Sequence, residues 1–297
     1  MNTVQYPDPS HTLLHLSDTH LVGERRPLYG AVDCDANLES LLDRLRSAQI
    51  DLDAIVLTGD LADAGAPDAY VRLRALVEPF AAEHGCPVLW VMGNHDDRAT
   101  FRAELLNEEP GSSPIDRVYE VNGLRVITLD STVPGSHHGE LSAVQLEWLD
   151  EQLETPALHG TLIALHHPPV PTTVPLLQLV ELRDAAPFET VLRGTDVRGI
   201  LAGHFHYSTH STFAGIPVSV AAATCYTQDL AIPTGSTHAT DSGQGANLVH
   251  VYPDRIVHSQ IDVTVGPTVY ALSPEDTASA IASASNGEPV FTDLLTS

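Results

Sequence analysis

The sequence has few basic residues. Lys and Arg total 14 against 39 Asp and Glu, which gives a formal net charge of -25. A long nucleic acid is bound mainly through its phosphates by Lys and Arg, so this balance disfavours a nucleic acid polymer as a partner. The same argument disfavours an anionic membrane surface. An anionic small molecule would need a local source of positive charge, and bound metal ions are one such source.

Cysteine and long apolar runs are also scarce. The three cysteines, Cys34, Cys86 and Cys225, are odd in number and form no Cys-x-x-Cys pair. This pattern argues against a disulfide scaffold and against a thiolate zinc site. No apolar run reaches the roughly 18 residues that a membrane span needs, and no basic region precedes an apolar stretch near the first residue. We therefore expect no membrane span, no signal peptide and a location in the reducing cytoplasm.

The remaining composition is that of a globular protein. The chain has 297 residues, a length sufficient to bury a sizeable core. Apolar residues make up 43% and charged residues 18%, as in ordinary globular proteins. Helical spacing predicts helices over 35–48, 68–84 and 142–153, the last with a capping box of Ser142 and Gln145. Predicted strands cover 12–17, 54–58, 88–92, 118–121, 125–129, 161–165, 197–202, 248–251 and 256–261, with a further hairpin over 208–220.

This order of elements predicts two mixed β-sheets packed together, with helices outside. We expect one domain over residues 1–272. The segment 231–246 is rich in Gly, Ser and Thr and is expected to be a loop. The tail over 273–297 is polar and rich in Ala and Ser, and we expect it to be mobile or packed on a neighbour.

Five short polar segments follow predicted strands, which is where open α/β folds place their sites. They carry imidazole, carboxylate and amide groups, the ligands of N/O metal sites. Any one segment alone would be interpreted as a turn, but five in this order indicate one site. They are Asp18-Thr19-His20, Gly59-Asp60-Leu61-Ala62-Asp63, Gly93-Asn94-His95-Asp96, His166-His167-Pro168-Pro169 and Gly203-His204-Phe205-His206.

Local geometry predicts how these ligands converge. Asp-x-His and His-x-His place two ligands on one side of an extended segment, because strand side chains alternate. Gly59, Gly93 and Gly203 each precede a candidate ligand and allow a sharp turn and a close approach.

This series resembles the calcineurin-like metallophosphoesterases, whose pattern is D-x-H, G-D-x-x-D, G-N-H-[DE], H and G-H-x-H. The match spans residues 18 to 206 without substitution. The resemblance implies a four-layer α-β-β-α sandwich of two mixed sheets, the metallo-dependent phosphatase fold. It is strongest to the class III 3′,5′-cyclic nucleotide phosphodiesterases of bacteria, the mycobacterial ones included. The segments that carry this closer resemblance are His166-His167-Pro168-Pro169, His138-Gly139-Glu140-Leu141 and Gln145-Leu146-Glu147-Trp148-Leu149.

The resemblance implies two metal ions per chain, iron and manganese, with zinc or cobalt as alternatives. The first metal would be held by Asp18, His20 and His206. The second would be held by Asn94, His166 and His204, with Asp60 bridging the two. It also implies a homodimer.

The implied reaction is the hydrolysis of a 3′,5′-cyclic nucleotide, cyclic AMP, to the 5′-nucleotide. A metal-bound hydroxide would attack phosphorus. His95, which is not a ligand in the family, would protonate the leaving oxygen, and Asp63 would orient His95. The expected substrate contacts are His95, Asn94, His167, His137 and Arg98. Substrate choice is expected to lie in loops such as 21–33 and 132–141.

Two other interpretations remain open. The chain could be a broader phosphodiesterase acting on glycerophosphodiesters or 2′,3′-cyclic nucleotides, since a metal site recognises only the phosphoryl group. It could also be a metal-binding scaffold without catalysis, although such relatives usually lose ligands and all are present here. A nuclease is disfavoured by the missing basic residues. A protein phosphatase is disfavoured because Ala64 stands where that group has Arg.

Overall fold

The computed structural model describes residues 6–285. Ser10–Thr264 forms one compact unit, and the described residues before and after it, 6–9 and 265–285, belong to a second. Within the second unit a helix spans Pro274–Ser285, so part of the predicted tail is helical, and residues 286–297 lie outside the described part. Over residues 6–285, none of the helices has both the length and the apolar character needed to cross a bilayer.

The elements alternate between strand and helix in the first half of the chain. The helices are α1 (Cys34–Ala48), α2 (Pro67–His84), α3 (Arg98–Leu105), α4 (Ala143–Leu153), α5 (Ala185–Leu192) and α6 (Pro274–Ser285). The strands are β1 (His11–Leu16), β2 (Ala54–Thr58), β3 (Val88–Val91), β4 (Arg117–Val121), β5 (Leu124–Leu129), β6 (Thr161–Leu165), β7 (Val197–Ala202), β8 (Thr209–Phe213), β9 (Ile216–Val220), β10 (Thr227–Gln228), β11 (Ala239–Thr240), β12 (Gly245–Val251) and β13 (Ile256–Asp262).

Two large mixed sheets organise the compact unit. The first has the strand order β13-β12-β1-β2-β3 and the second β4-β5-β6-β7-β9-β8, with a small β10-β11 hairpin beside them. β1, β2 and β3 are parallel to one another, as are β5, β6, β7 and β9. The predicted fold of two mixed sheets is confirmed.

Three apolar layers hold the sandwich together, because each central strand sends alternate side chains to opposite faces. In β2, Ile55 and Leu57 pack toward α1 and α2, while Ala54 and Val56 face the second sheet. In β6, Ile163 and Leu165 pack with residues of α4 and α5. The layers therefore run helix, sheet, sheet, helix, as predicted.

The helices begin at polar side chains that accept hydrogen bonds from the first turn. Asp33 accepts from the Ala36 amide at the start of α1, and Asp97 accepts from the Thr100 amide at the start of α3. Ser142 and Gln145 form the predicted capping box of α4.

The parallel strands explain why the polar segments meet. β1, β2 and β3 end at the same edge of the first sheet, and β6 and β7 end at one edge of the second. The segments that follow these five strands are those with the candidate ligands. The two edges are joined where the His166 ring donates to the Thr58 carbonyl and the His204 amide donates to the Asp18 carboxylate.

A buried histidine between the sheets gives stability a pH dependence. His15 on β1 is fully buried, and its Nε2 is hydrogen-bonded to Thr58 Oγ1 at 2.9 Å. Burial, together with the neighbouring His258 on β13, lowers the pKa of His15 to about 3, although Asp18 opposes the shift. Because the folded pKa lies below the unfolded value, only the unfolded chain takes up this proton as pH falls below about 6.5.

We expect this group alone to lower the free energy of unfolding by about 2 kcal/mol between pH 8 and pH 5. His15→Gln, which keeps a hydrogen-bonding group but cannot titrate, should remove that part of the pH dependence. Urea unfolding with a chelator present at both pH values measures it, and the exposed His238→Gln serves as the control. An equal pH dependence in wild type and His15→Gln would contradict the assignment.

Candidate metal centre

All seven predicted metal ligands converge at the joined edges of the two sheets. In the first group, the His206 Nε2 atom lies 3.3 Å from Asp18 Oδ1, and the His20 Nε2 atom lies 3.4 Å from Asp60 Oδ2. These four side chains offer ligand atoms that all lie within 4.8 Å of one another, and all four are buried. They form a compact set of two carboxylates and two imidazoles.

A second group lies directly beside the first. The His166 Nε2 atom is 3.1 Å from Asn94 Oδ1, 3.2 Å from His204 Nδ1 and 3.3 Å from Asp60 Oδ2. The same Asp60 oxygen therefore touches one imidazole of each group. The Asp60 carboxylate thus lies between the two sets.

Each of the four histidines uses its other ring nitrogen in a hydrogen bond to the protein. His20 Nδ1 donates to Asp63, and His166 Nδ1 donates to the Thr58 carbonyl at 2.7 Å. His204 Nε2 donates to the Val180 carbonyl, and His206 Nδ1 donates to the Tyr226 carbonyl. Such bonds fix the ring and leave a lone pair on the inward nitrogen, as in protein metal sites.

The donor set fits metal ions. Nitrogen and oxygen ligands bound at about 2.1 Å stand roughly 3.0–3.4 Å apart on a coordination shell, and four neighbouring pairs of inward atoms here are 3.1–3.4 Å apart. Among the described residues, the buried His20 Nε2 finds no hydrogen-bond partner. A carboxylate, amide and imidazole set of this kind suits iron, manganese, zinc or cobalt.

The backbone at the ligands differs from the extended geometry that was expected. Asp18, His20, His204 and His206 have positive φ angles between 44° and 73°, and so does Asp60 at 51°. The interpretation of Asp-x-His and His-x-His as extended segments is therefore wrong. The ligands share a site because the chain turns sharply at each of them, in a conformation that is uncommon for residues other than glycine and is found at functional sites.

Two glycines make room for the cluster, as the sequence predicted. A Cβ atom on Gly93 would lie 2.0 Å from the Asp60 amide nitrogen, and one on Gly203 would lie 1.8 Å from Ser17 Oγ. Neither position could hold a side chain without displacing Asp60 or the segment that carries Asp18.

The charges in the cluster depend on one another. Burial alone would raise the pKa of Asp60, but His166 and His20 hold it well below its ordinary value. Burial would lower the pKa of His166, but Asp60 raises it to about 9. Burial and the nearby His166 lower the pKa of His204 to about 3. Because an imidazole binds metal only when it is neutral, metal binding at this cluster would release protons.

The predicted pair His95 and Asp63 lies at the open side of the cluster. His95 Nδ1 donates to Asp63 Oδ1 at 3.1 Å, and the same oxygen accepts from His20 Nδ1 at 3.3 Å. Hydrogen bonds from His20 and His95 hold the pKa of Asp63 below its usual range. The His95 ring packs edge-on against His20, with centroids 4.7 Å apart, so it lies next to the cluster without belonging to either set.

The other predicted substrate contacts divide into two groups. His137 is exposed, accepts a hydrogen bond from Asn94 Nδ2 at 3.0 Å and lies 5.2 Å from the His95 ring, so the structure brings it to the site. His167 is fully buried, with Ser131 and the His137 carbonyl as partners of its two ring nitrogens. Arg98 pairs with the buried Asp130 at 2.8 Å. The His167 ring packs against the cluster, with its centroid 4.9 Å from that of His166 and 4.5 Å from that of His204, whereas the Arg98 guanidinium is engaged by Asp130.

Some contributors were not assigned a role from the sequence. Asp96 accepts hydrogen bonds from the amides of Leu61, Ala62 and Gly93, so it ties the second polar segment to the third. The sequence could have indicated Asp96, because it directly follows His95 in the third polar segment. The centroid of the Tyr226 ring lies 4.3 Å from that of His206. No sequence motif includes Tyr226, so its contact with the cluster is seen only in the structure.

Known proteins resemble this chain over most of its length. The calcineurin-like phosphoesterase pattern matches residues 11–208. A cAMP/cGMP dual specificity phosphodiesterase of Mycobacterium tuberculosis is 59% identical over 269 residues, which cover 91% of this chain and 85% of that protein. The 3′,5′-cyclic adenosine monophosphate phosphodiesterase CpdA of Escherichia coli is 33% identical over 214 residues, which cover 72% and 76% of the two chains.

A solved structure supports the fold. A dimetal phosphatase from Danio rerio superposes with a TM-score of 0.61 at 18% identity, over 86% of this chain and 98% of that one. The family pattern covers more than half of the sequence and includes all five polar segments. The predicted family is thereby confirmed, and the chain belongs to the calcineurin-like phosphoesterases.

Proposed function

We propose that the chain is a dinuclear-metal phosphodiesterase that hydrolyses 3′,5′-cyclic nucleotides, with cyclic AMP giving 5′-AMP. The observation that carries the dinuclear centre is the position of Asp60 Oδ2, 3.4 Å from His20 and 3.3 Å from His166. One carboxylate oxygen in reach of both sets is what a bridging ligand requires. The choice of substrate rests on the 59% identity to a protein named as a cAMP/cGMP phosphodiesterase.

The assigned residues divide into those that hold metal and those that handle protons. Asp18, His20 and His206 would hold one ion, Asn94, His166 and His204 would hold the other, and Asp60 would bridge them. When bound, two such ions make water a better nucleophile and offset negative charge on the phosphoryl oxygens. This local positive charge is how a chain with a net charge of -25 can bind an anionic ester.

The proton for the leaving oxygen comes from His95. Asp63 accepts the Nδ1 proton at 3.1 Å, which fixes the orientation of the ring and leaves Nε2 for the substrate. The His95 amide also donates to Asp60 Oδ1 at 2.8 Å. Its backbone is therefore fastened to the bridging carboxylate, and its side chain is positioned relative to the metals.

Further parts of the proposal concern composition and assembly. We propose iron and manganese as the two metals, with zinc or cobalt able to replace them. We also propose that the chain acts as a homodimer in the cytoplasm on a small phosphodiester. Metal analysis of the protein as purified and sedimentation at several concentrations test these points.

A substrate panel tests the proposed reaction. We expect kcat/KM for 3′,5′-cyclic AMP to exceed that for 2′,3′-cyclic AMP and for glycerophosphodiesters by at least about tenfold, the discrimination that about 1.4 kcal/mol of transition-state binding gives. The product should be 5′-AMP, and a chelator should abolish turnover. High activity on a glycerophosphodiester with none on cyclic AMP would overturn the substrate assignment while leaving the metal centre intact.

A further inference from the structure

A cavity opens beside Asn94, next to the metal cluster. It has a volume of about 500 Å³, and its walls come from the start of α3, from residues 110–112 and from the loop 132–135. This volume lies within the range of small-molecule sites, roughly 300–1,000 Å³. We call it the Asn94 pocket and define it by Asn94, Ala99, Pro110, Ser112, Thr132 and Val133.

We propose that the Asn94 pocket receives the nucleobase of the substrate, an inference that rests on the proposed cyclic nucleotide activity. Ala99, Pro110 and Val133 offer apolar faces to a flat heterocycle, and Ser112 and Thr132 add polar residues to the lining. Pockets that combine apolar walls with a few polar groups bind and orient organic ligands of this kind.

The position of His95 favours this side of the cluster. In a 3′,5′-cyclic nucleotide both ester oxygens belong to one ribose, so the nucleoside lies where the leaving oxygen lies. His95 is the group that protonates that oxygen. The pocket is bounded by Asn94 on one side of His95 in the chain and by Asp96–Ala99 on the other. The His137 ring lies 5.2 Å from the His95 ring. His137 follows the loop 132–135, which forms one wall of the pocket.

The pocket is held in shape by one buried ion pair. Arg98 Nε donates to Asp130 at 2.8 Å, and these side chains are 12% and 0% exposed. The same guanidinium donates to the carbonyls of Ser112 and Thr132, both at 2.9 Å. Asp130 accepts in turn from the amides of Ile115 and Thr132. All three walls are thus tied to one another, and a preformed pocket loses little entropy on binding.

An aromatic surface on the other side of the cluster is the competing place for the base. The Tyr29 ring is 74% exposed and lies 5.8 Å from the Tyr226 ring, which packs on His206. This surface could cover one face of a base. The test must therefore distinguish the two sides.

Two substrates that differ only in the base provide the measurement. Cyclic AMP and methyl riboside 3,5-cyclic phosphate present the same ester to the metals, and the second lacks the base. The ratio of their kcat/KM values measures how much the base contributes. We expect a ratio of at least about tenfold in wild type, equivalent to about 1.4 kcal/mol, expressed mainly in KM.

Variants that fill the pocket from two walls test where the base binds. Ala99→Phe and Val133→Trp should each bring the ratio close to one and leave turnover of the base-free ester within about threefold of wild type. Ala103→Phe places the same bulk one turn further along α3, outside the pocket lining, and should keep the ratio. Tyr29→Ala should also keep it. Thermal unfolding of each variant checks that it folds.

Each other outcome overturns the proposal in a distinguishable way. A ratio that survives both filling variants but is lost in Tyr29→Ala would place the base on the Tyr29 surface. Equal losses for both substrates, or a wild-type ratio near one, would show that the pocket does not bind the base. Failure of wild type to hydrolyse either cyclic ester, with hydrolysis of another diester, would instead overturn the proposed function on which this inference rests.

Discussion

Asp60→Asn is expected to lower phosphodiester hydrolysis by at least about 10³-fold, because even residues that only support metal ligands contribute about 10- to 100-fold. The carboxylate lies between His20 and His166, one from each group. Asparagine has nearly the same size and can still accept the hydrogen bond from the His95 amide. It lacks the negative charge that two cations share, so both metals should be bound more weakly.

Metal content and turnover of bis(p-nitrophenyl) phosphate should be measured together for this variant. Asp33→Asn is the matched control, because Asp33 caps α1 outside the cluster and asparagine caps a helix equally well. The control should keep both metals and its activity. If Asp60→Asn also kept two metals and hydrolysed the ester within about tenfold of wild type, Asp60 would not be the bridge.

The site could be located from the sequence because each polar segment follows a strand that is easy to recognise. The runs that became β2 and β3 are almost wholly apolar, and β1 contains three leucines. Parallel strands bring the residues after them to one edge. Asp18, Asp60 and Asn94 were thereby placed together without knowledge of the fold. Membership of one site follows from topology, so it survives errors in local geometry.

The local geometry could not be predicted in the same way. Asp18, His20 and His206 adopt positive φ angles. The presence of Asp or His does not predict this left-handed conformation, which glycine adopts most readily. The acceptors that orient the histidines include the carbonyls of Val180 and Tyr226. Every residue has a carbonyl, so such partners leave no mark on the sequence.

The two shortest α-helices of the compact unit were not predicted from the sequence. α3 and α5 are eight residues each, too short for a helical period to stand out from the flanking loops. Yet α3 carries Arg98, which joins Asp130 and shapes the pocket beside Asn94. The sequence showed that Arg98 follows the third polar segment, but only the structure shows that its guanidinium is fully engaged with Asp130, Ser112 and Thr132.

His95→Ala is expected to retain both metals and to lower turnover of cyclic AMP by about 10²-fold or more, the usual contribution of a general acid. His95 contacts the cluster through its ring and through Asp63 but supplies no atom to either ligand set. Its loss should therefore remove the proton donor and spare the metals. The exposed His210→Ala is the control and should leave both turnover and metal content unchanged.

The leaving group separates proton transfer from simple positioning. Cyclic AMP releases an alkoxide that needs a proton, whereas a p-nitrophenyl ester releases a stable phenolate that does not. If His95 is the acid, His95→Ala should slow the p-nitrophenyl ester by less than about tenfold while cyclic AMP loses the full factor. Equal losses on both substrates would mean that His95 only positions the ester, and loss of metal would mean that it belongs to the ligand set after all. Because Asp63 accepts hydrogen bonds from both His20 and His95, an Asp63 variant would disturb both functions, and the histidine is the sharper probe.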